Sequence, residues 1–215
     1  MSKSPRRVAT PTTWSSHWHI GYTLVFCIAG IVAAISFLGT PTAAEYLTIP
    51  LAFAFRNAVE YAAHRYPLHR RLTGMGALFD LHMAHHLYFD SDHYEIDRYE
   101  DMGMVVFPPI VLNAISVLMG AVAAMLGLAF GSNVALLFFA TTLAYYLVMQ
   151  VTHAMSHVAA GHWAARLPGI RHLWVHHWIH HDTARMSRFN FAFIVTTADR
   201  ALGTLDMIGA PPRSA

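Results

Sequence analysis

The chain contains little charge and almost no sulfur chemistry. Charged residues make up 12% of its 215 residues, against roughly 25% in an ordinary soluble domain. The single cysteine, Cys27, excludes disulfides within the chain and thiolate metal sites. The sequence has no Gly-rich nucleotide loop, no catalytic-triad motif and no His-Glu-x-x-His helix. A net charge of +2 spread along the chain argues against a nucleic-acid partner.

Two long stretches carry no Asp, Glu, Lys or Arg at all. They are residues 8–44 and 102–165, and the second is long enough for two membrane crossings of about 20 residues each. The alternative is a very apolar soluble helical bundle, but a soluble fold of this length could not bury so much unbroken apolar sequence. We therefore predict an all-α integral membrane protein.

Four transmembrane helices can be placed on the sequence. Gly39-Thr40-Pro41 ends the first, Pro108-Pro109 suits the start of the third, and Gly131-Ser132-Asn133 separates the third from the fourth. The predicted spans are approximately residues 20–38, 44–64, 106–130 and 133–152, within a single domain of residues 17–209. Residues 1–16 are predicted to form a disordered basic arm, and residues 210–215 a tail.

The distribution of basic residues sets the predicted orientation. Lys and Arg precede the first span and follow the second and the fourth, whereas the turns at residues 39–43 and 131–132 carry none. By the positive-inside rule, both termini and every histidine cluster face the cytoplasm. We expect a multi-pass protein of a bacterial inner membrane or of the endoplasmic reticulum, with a cytoplasmic helical cap that carries the histidines.

Histidine is the residue that this chain has in excess. Ten of its sixteen histidines form four clusters, and the pattern His-x-x-His-His occurs once in each half of the chain. Neutral imidazole is the commonest metal ligand in proteins, and ten are too many for one ion. Two metals with about five nitrogens each are the simplest arrangement. The ten predicted ligands are His64, His69, His82, His85, His86, His153, His157, His177, His180 and His181.

Helix geometry predicts that each cluster presents its histidines on one side. The members of each His-x-x-His-His box are three and four residues apart, and His153 and His157 are four apart, so each set shares one helix face. His64 and His69 are five apart, which is about 140° round an α-helix. Pro67 lies between them and predicts a helix break near Tyr66, which lets His69 turn back toward the same site.

The remaining six histidines are weaker candidates. His172 and His176 are four residues apart and form an alternative ligand pair, although the second box is complete without them. The other four are interpreted as ordinary surface or core residues: His17, His19, His93 and His162.

The residues around the histidine clusters are distinctive as well. The first cluster reads Glu60-Tyr61-x-x-His64-Arg65-x-x-Leu68-His69, and the last is followed by Asn190-Phe191 and by Asp199-Arg200-Ala201-Leu202-Gly203-Thr204. Over residues 56–205 the sequence resembles the fatty acid hydroxylase/sterol desaturase superfamily of membrane histidine-box di-iron oxygenases. It looks closest to the fatty acid 2-hydroxylase branch, which Pro108-Pro109 and Thr152-His153 also resemble.

The resemblance implies a role for each of these residues. Glu60, one helical turn before His64, and Asp199 would orient ligand imidazoles by accepting hydrogen bonds. An ion pair with Arg56, four residues away, is the alternative role for Glu60. One metal would take His64, His82, His85, His177 and His180, and the other would take His69, His86, His153, His157 and His181.

The resemblance also implies a reaction. Two Fe(II) ions, which zinc can replace in purified protein, would activate O2 and insert one oxygen atom into a membrane lipid on its acyl chain. The second oxygen atom leaves as water, so two external electrons are needed. The sequence shows no cytochrome b5-like haem segment. We therefore expect a separate electron donor of the cytochrome b5 or ferredoxin type. The oligomeric state is left open.

Three alternatives remain open at this point. A sterol or carotenoid oxidase or desaturase of the same superfamily uses similar boxes, although the third box here has x3 spacing and not the x4 of the carotenoid branch. A non-catalytic metal-binding or transport protein would need polar groups at the bilayer midplane, and three of the four spans offer almost none. A bis-histidine haem carrier would have its histidine pairs inside the spans and not at their ends.

Overall fold

Every regular element in the described part of the chain is a helix, which confirms the predicted all-α class. The computed structural model describes residues 15–90 and 92–208, so most of the predicted basic arm (1–16) and all of the predicted tail (210–215) lie outside it. A π turn at His64–Leu68 and two 3-10 turns at Tyr99–Asp101 and Trp163–Arg166 interrupt the α-helices. The α-helices are α1 Ser16–Ser36, α2 Ala43–Tyr46, α3 Thr48–Ala63, α4 Gly76–Tyr88, α5 Met102–Val105, α6 Pro109–Phe130, α7 Ser132–Ser156, α8 Ile170–His180 and α9 Thr197–Ala201.

Three stretches of helix are long and apolar enough to cross a membrane. Within the described residues they lie at Ser16–Ser36, Tyr99–Phe130 and Ser132–Ser156. They correspond to the first, third and fourth predicted spans. The helix of the third span starts at Pro109, directly after Pro108. Proline is favoured at the first helical position because the backbone N–H that it lacks has no hydrogen-bond acceptor within the helix. The chain is therefore a membrane protein.

The second predicted span, residues 44–64, is divided into two helices. Thr42 and Glu45 form a capping box that starts α2: the backbone N–H of Thr42 donates to Glu45 Oε2 at 2.7 Å, and that of Glu45 donates to Thr42 Oγ1 at 3.3 Å. The chain then restarts as α3, which has 16 residues, fewer than the roughly 20 that a full crossing needs. The count of four spans therefore stays a prediction.

The first of two compact units consists of His17–Arg56 and Phe107–Gln150, and we call it the helical unit. Helices α3, α6 and α7 pack together inside it through small and aromatic side chains such as Ala52 and Phe138. Large apolar side chains also point outward from this unit; Leu128, for example, is 91% exposed. Helices that are apolar all round are typical of a membrane environment.

The second unit, which we call the histidine unit, consists of Asn57–Val106 and the described residues from Val151 onward. It holds the π turn, α4, α5, the end of α7, α8 and α9. One apolar cluster in this unit packs Tyr94 against Trp174, and another surrounds Phe89. The remaining buried side chains include all ten boxed histidines, so the interior of this unit is largely aromatic and imidazole.

Pro67 reshapes the chain between His64 and His69 in a way that differs from the predicted break at Tyr66. Helix α3 already ends at Ala63, and a π turn that contains Pro67 follows it. The proline ring clashes with the carbonyl four residues earlier, which belongs to Ala63, so the change of helix type begins there. A π turn pairs residues five apart. His69 therefore returns to the side of His64 without a full break of the helix.

Candidate metal centre

All ten boxed histidines are buried in the histidine unit, and none is more than 6% exposed. They come from the π turn and the residue after it, from α4, from the end of α7 and the residue after it, and from the end of α8 and the residue after it. A buried polar ring without a partner for its nitrogens is costly. Each of the ten rings therefore needs partners for its nitrogens.

Five histidines, which we call group A, each turn one nitrogen toward a common point, and these nitrogens all lie within 4.8 Å of one another. The Nε2 atom of His82 lies 2.9 Å from that of His64 and 3.0 Å from that of His69. The Nε2 atoms of His69 and His180 are 3.0 Å apart. Group A consists of His64, His69, His82, His86 and His180.

Four further histidines form group B, whose ligand atoms also lie within 4.8 Å of one another. The Nε2 atom of His177 lies 3.1 Å from that of His157 and 3.1 Å from that of His181. His153 lies beside this group, since its ring centroid is 4.7 Å from that of His177 and 4.9 Å from that of His85. Group B consists of His85, His157, His177 and His181.

The two His-x-x-His-His boxes divide between the groups in opposite ways. In the box at residues 82–86, the first and last histidines join group A and the middle one, His85, joins group B. In the box at residues 177–181, the first and last join group B and His180 joins group A. Neighbouring residues of a helix point about 100° apart, whereas residues four apart are nearly aligned. Each box therefore sends ligands to both groups.

This division corrects the one that the resemblance implied. There, His85 and His177 shared a metal with His64, but the structure places both in group B. Conversely, His69 and His86 were assigned to the other metal, and both lie with His64 in group A. The helical alignment of residues four apart decides the grouping within each box.

Backbone carbonyls fix the proton position on five of the ten rings. A carbonyl oxygen only accepts hydrogen bonds, so an Nδ1 atom that faces one must carry the hydrogen. The lone pair is then left on Nε2, the atom that points into the group. The five pairs of donor ring and acceptor carbonyl are His64 with Phe191, His180 with Phe189, His85 with Met104, His157 with Tyr94 and His181 with Phe89.

Burial keeps these rings neutral. Desolvation lowers the pKa of His85 to about 4 and the pKa of His180 to about 3. At His86 and His181, desolvation and then repulsion from neighbouring imidazoles lower the pKa well below the usual value for histidine. Neutral imidazole is the form that binds metal, so the sites are ready to bind at pH 7 without losing protons first.

The spacing of the nitrogens fits a metal ion. Metal–imidazole bonds are about 2.0–2.1 Å long, as for zinc, so two nitrogens at right angles around one ion lie roughly 3.0 Å apart. The Nε2 atoms of neighbouring rings lie between 2.9 Å and 3.2 Å apart in both groups. His85 and His181 both carry their hydrogen on Nδ1, so the Nε2 lone pairs of these two rings face each other at 3.2 Å and repel unless a cation lies between them. The histidine cluster is therefore a metal-binding site, and its all-nitrogen donor set suits Fe, Zn, Cu or Ni.

Glu60 influences group A through the backbone and an aromatic ring. Its Oε1 atom accepts a hydrogen bond from the backbone N–H of Phe193 at 2.7 Å. The ring of Phe193 stacks on that of His64, with centroids 4.5 Å apart and planes inclined by 13°. Glu60 thus helps to hold an apolar cover over a ligand ring, and a direct hydrogen bond from Glu60 to a ligand imidazole stays a prediction.

Asp199 is fully buried and holds the chain segment that carries Phe191. It accepts hydrogen bonds from the backbone N–H groups of Phe191 and Ala192 at 2.9 Å each. Its Oδ2 atom also lies 3.1 Å from His176 Nε2. His176 is therefore engaged by Asp199 and not by either group, and His172 is exposed at the surface. The structure does not bring this alternative ligand pair to the centre.

The other four histidines also lie outside both groups: His17, His19, His93 and His162. Sequence reasoning missed two residues that the structure places around the centre, Phe193 and the fully buried Asp101. Asp101 carried a sequence signal, because it is the last charge before the uncharged run of residues 102–165. Phe193 carried none, because one more aromatic in an apolar stretch is unremarkable by composition.

A family model described as fatty acid hydroxylase matches residues 49–204, a range that includes all ten boxed histidines, Glu60 and Asp199. No curated protein and no solved structure matches the chain.

Proposed function

Because the chain belongs to the fatty acid hydroxylase family, we propose that it is a membrane-bound non-haem di-iron oxygenase. It uses O2 and two external electrons to hydroxylate a lipid on its acyl chain. Family membership and the histidine cluster support an oxidoreductase that binds metal. The proposal adds the identity of the metals, the kind of substrate and the position of the reaction.

The observation that carries the proposal is the pair of buried all-histidine groups. Acyl C–H bonds resist acid–base and nucleophilic attack, so their oxidation requires a redox metal or cofactor, with the protein supplying position and a dry site. The two groups supply nine nitrogen ligands, His153 lies beside group B, and none of the ten histidines is more than 6% exposed. Two iron ions, when bound, supply the activation of O2.

The residues of the chain orient the ligands and exclude water. Backbone carbonyls hold five imidazoles by Nδ1 and aim Nε2 inward, which lowers the reorganisation needed when metal binds. Phe193 and Phe191 cover His64 with apolar rings. Water is thereby kept away from the side of group A that these rings occupy.

The proposal includes partners that the resemblance suggests. The substrate is a membrane lipid, and the closest branch is that of the fatty acid 2-hydroxylases. A separate carrier of the cytochrome b5 or ferredoxin type supplies the electrons. Both termini face the cytoplasm, in a bacterial inner membrane or the endoplasmic reticulum.

The test compares cells that produce the wild-type chain with cells that produce His82→Ala/His177→Ala, which lacks one ligand from each group. Lipids are extracted and analysed by mass spectrometry after growth under ¹⁸O2. We expect a hydroxylated acyl chain that contains one ¹⁸O atom, present with the wild type and absent with the double variant. The purified wild type should contain two iron ions per chain.

The matched control is His172→Ala, which removes an exposed histidine outside both groups and should preserve product and iron. Membranes are supplied in parallel with a cytochrome b5 system and a ferredoxin system, so that a missing donor cannot hide the activity. Identical lipid profiles for the wild type and the double variant with both donors would contradict the proposal. A product confined to the sterol fraction would replace the acyl-chain substrate with a sterol.

A further inference from the structure

The ligand rings of each group donate hydrogen bonds from Nδ1 to carbonyls of a different stretch of backbone. In group A, His180 donates to the carbonyl of Phe189 at 2.8 Å, and His64 donates to that of Phe191. We call residues 189–193 the A strap. In group B, three ligands donate instead to carbonyls between residues 89 and 104, which we call the B strap. These three pairs are His181 with Phe89, His157 with Tyr94, and His85 with Met104.

A buried carboxylate fixes the A strap. Asp199 Oδ1 accepts the backbone N–H of Phe191 at 2.9 Å and the hydroxyl of Thr204 at 2.7 Å. Asp199 Oδ2 accepts the backbone N–H of Ala192 at 2.9 Å and faces His176 Nε2 at 3.1 Å. Both oxygens therefore meet a backbone N–H. Burial alone would raise the pKa of Asp199, but the hydrogen bonds, with that of His176 the largest, lower it, so the carboxylate is charged.

A second buried carboxylate fixes the B strap. Asp101 Oδ2 accepts the backbone N–H groups of Asp97 at 2.9 Å and Arg98 at 3.0 Å. Its Oδ1 accepts the hydroxyl of Tyr88 at 2.6 Å. Asp101 is itself part of the B strap, between the carbonyls of Tyr94 and Met104 that hold His157 and His85. It is 0% exposed, and the guanidinium of Arg98 lies 3.7 Å from its Oδ1; a buried carboxylate needs this kind of multiple hydrogen bonding and pairing.

We propose that Asp199 and Asp101 are positioning residues, one for each metal: Asp199 aligns the ligands of group A, and Asp101 aligns those of group B. The inference rests on the proposed binding of one metal by each group. Neither carboxylate is a member of the groups. Each acts through carbonyls that set the orientation of two or more imidazoles, and loss of such an outer partner commonly weakens metal binding by 10- to 100-fold.

The test measures which metal is lost. Asp199→Ala and Asp101→Ala are made alone and in two backgrounds, His82→Ala, which affects group A, and His177→Ala, which affects group B. Metal content is measured in a titration that runs from the wild-type dissociation constant to a large excess, so that each site is compared with the wild type at every concentration. As a single substitution, Asp199→Ala should lose one of the two metals. Adding His82→Ala should cause no further loss, because both changes affect group A. Adding His177→Ala should remove the remaining metal, because that change affects group B. Asp101→Ala should lose one metal, lose no further metal when His177→Ala is added, and lose the second metal when His82→Ala is added.

Asparagine variants provide a second measurement that general destabilisation does not reproduce. An amide at Asp101 can turn its oxygen to the two backbone N–H groups and its NH2 to the Tyr88 oxygen, so Asp101→Asn should retain the group B metal. An amide at Asp199 places its NH2 against a backbone N–H in either orientation, so Asp199→Asn should lose the group A metal. These variants also decide the matter if an alanine variant fails to fold.

The control is Asp80→Ala, which removes an exposed carboxylate paired with Arg71 and should leave both metals bound. A wild type that binds fewer than two metals would contradict the metal-binding proposal itself. A wild type with two metals, combined with aspartate variants that lose both metals together or lose none, would overturn the positioning roles alone.

Discussion

At the residue scale, the angular position of each histidine on its helix decides which group it joins. His180 and His181 are neighbours in sequence and lie about 100° apart round the helix. They therefore join different groups, His180 with group A and His181 with group B. A substitution at one residue of a box should consequently affect a different ion from a substitution at its neighbour.

The first prediction concerns two histidines of one box. His177→Ala/His180→Ala should lose both metals, because His177 belongs to group B and His180 to group A. His177→Ala/His181→Ala should keep one, because both residues belong to group B. Metal analysis of the purified variants, loaded with metal in excess, checks this. The division that the resemblance implied gives the reverse pattern, so one experiment separates the two divisions.

The second prediction concerns the metal-free protein and pH. The folded pKa values of His85, about 4, and His180, about 3, lie below the ordinary value of 6.5. The unfolded chain therefore takes up protons first as the pH falls, and stability drops in that window. The melting temperature in detergent should be highest above about pH 6.5 and should fall steadily toward about pH 4. His85→Ala/His180→Ala should show a weaker dependence, and an equal slope in both proteins would contradict the assignment.

The clustering of the histidines was predictable from the sequence, because the chemistry lies in their side chains and their spacing follows the helix period. Their partners were not predictable, because the groups that orient them are backbone carbonyls. Every residue type has a backbone carbonyl, so the identity of residues 89 and 189 does not indicate that their carbonyls accept hydrogen bonds from His181 and His180. For Asp199, the resemblance implied only a hydrogen bond to a ligand imidazole. Its contact with two backbone N–H groups required the fold.

At the element scale, the π turn is what brings the first pair of histidines together. His64 and His69 are five residues apart, and their Nε2 atoms are 3.2 Å apart. In an α-helix their side chains would diverge by about 140°. The turn therefore converts an unsuitable spacing into a usable one, and Pro67 is the residue that prevents an ordinary α-helix from forming there.

The third prediction is that Pro67→Ala weakens metal binding by group A alone. The substitution restores the missing N–H and removes the clash, so α-helix can extend through residue 68 and turn His69 away. Metal content should fall from two ions toward one, and adding His82→Ala should cause no further loss. Pro50→Ala, near the start of α3 where proline is tolerated, is the control. Full metal content in Pro67→Ala would show that the turn does not depend on the proline.

The long helices could be predicted from the uncharged runs. A membrane-spanning segment must satisfy its backbone hydrogen bonds internally, and a helix does so within a single segment. The division between α2 and α3 did not follow from hydropathy. The sequence did carry a local signal for the start of α2, because Thr42-x-x-Glu45 has the pattern of a capping box. The apolar residues on both sides of this motif masked the start of α2 in the hydropathy pattern, and the hydrogen bonds between Thr42 and Glu45 reveal it.

At the scale of the whole molecule, stretches of the two units alternate along the chain. Residues 17–56 and 107–150 belong to the helical unit, and residues 57–106 and those from 151 onward belong to the histidine unit. Two crossings by α6 and α7 would return the chain to the same side of the membrane, which is what the joint burial of both boxes in one unit predicts. The number of crossings before residue 57 is then decided by the position of the N-terminus.

The fourth prediction is that both termini lie in the cytoplasm. An N-terminus on the same side as the C-terminus means four crossings, and an N-terminus on the opposite side means three. Tags at each end, tested for protease or label accessibility in sealed vesicles of both orientations, check this. A tag in the turn at residues 131–132, which carries no Lys or Arg, serves as the control for the opposite side. A C-terminal tag outside would contradict the cytoplasmic placement of the histidine unit.

The opposite division of the two boxes has a consequence for how the protein fills with metal. Helices α4 and α8 each supply ligands to both groups, so the first ion to bind locks both helices in the arrangement that the second ion needs. Filling should then be cooperative, with a sigmoidal titration curve at limiting metal and a Hill coefficient above one. A sample given half of the metal it can hold would consist mainly of empty and full molecules, with few that carry a single ion.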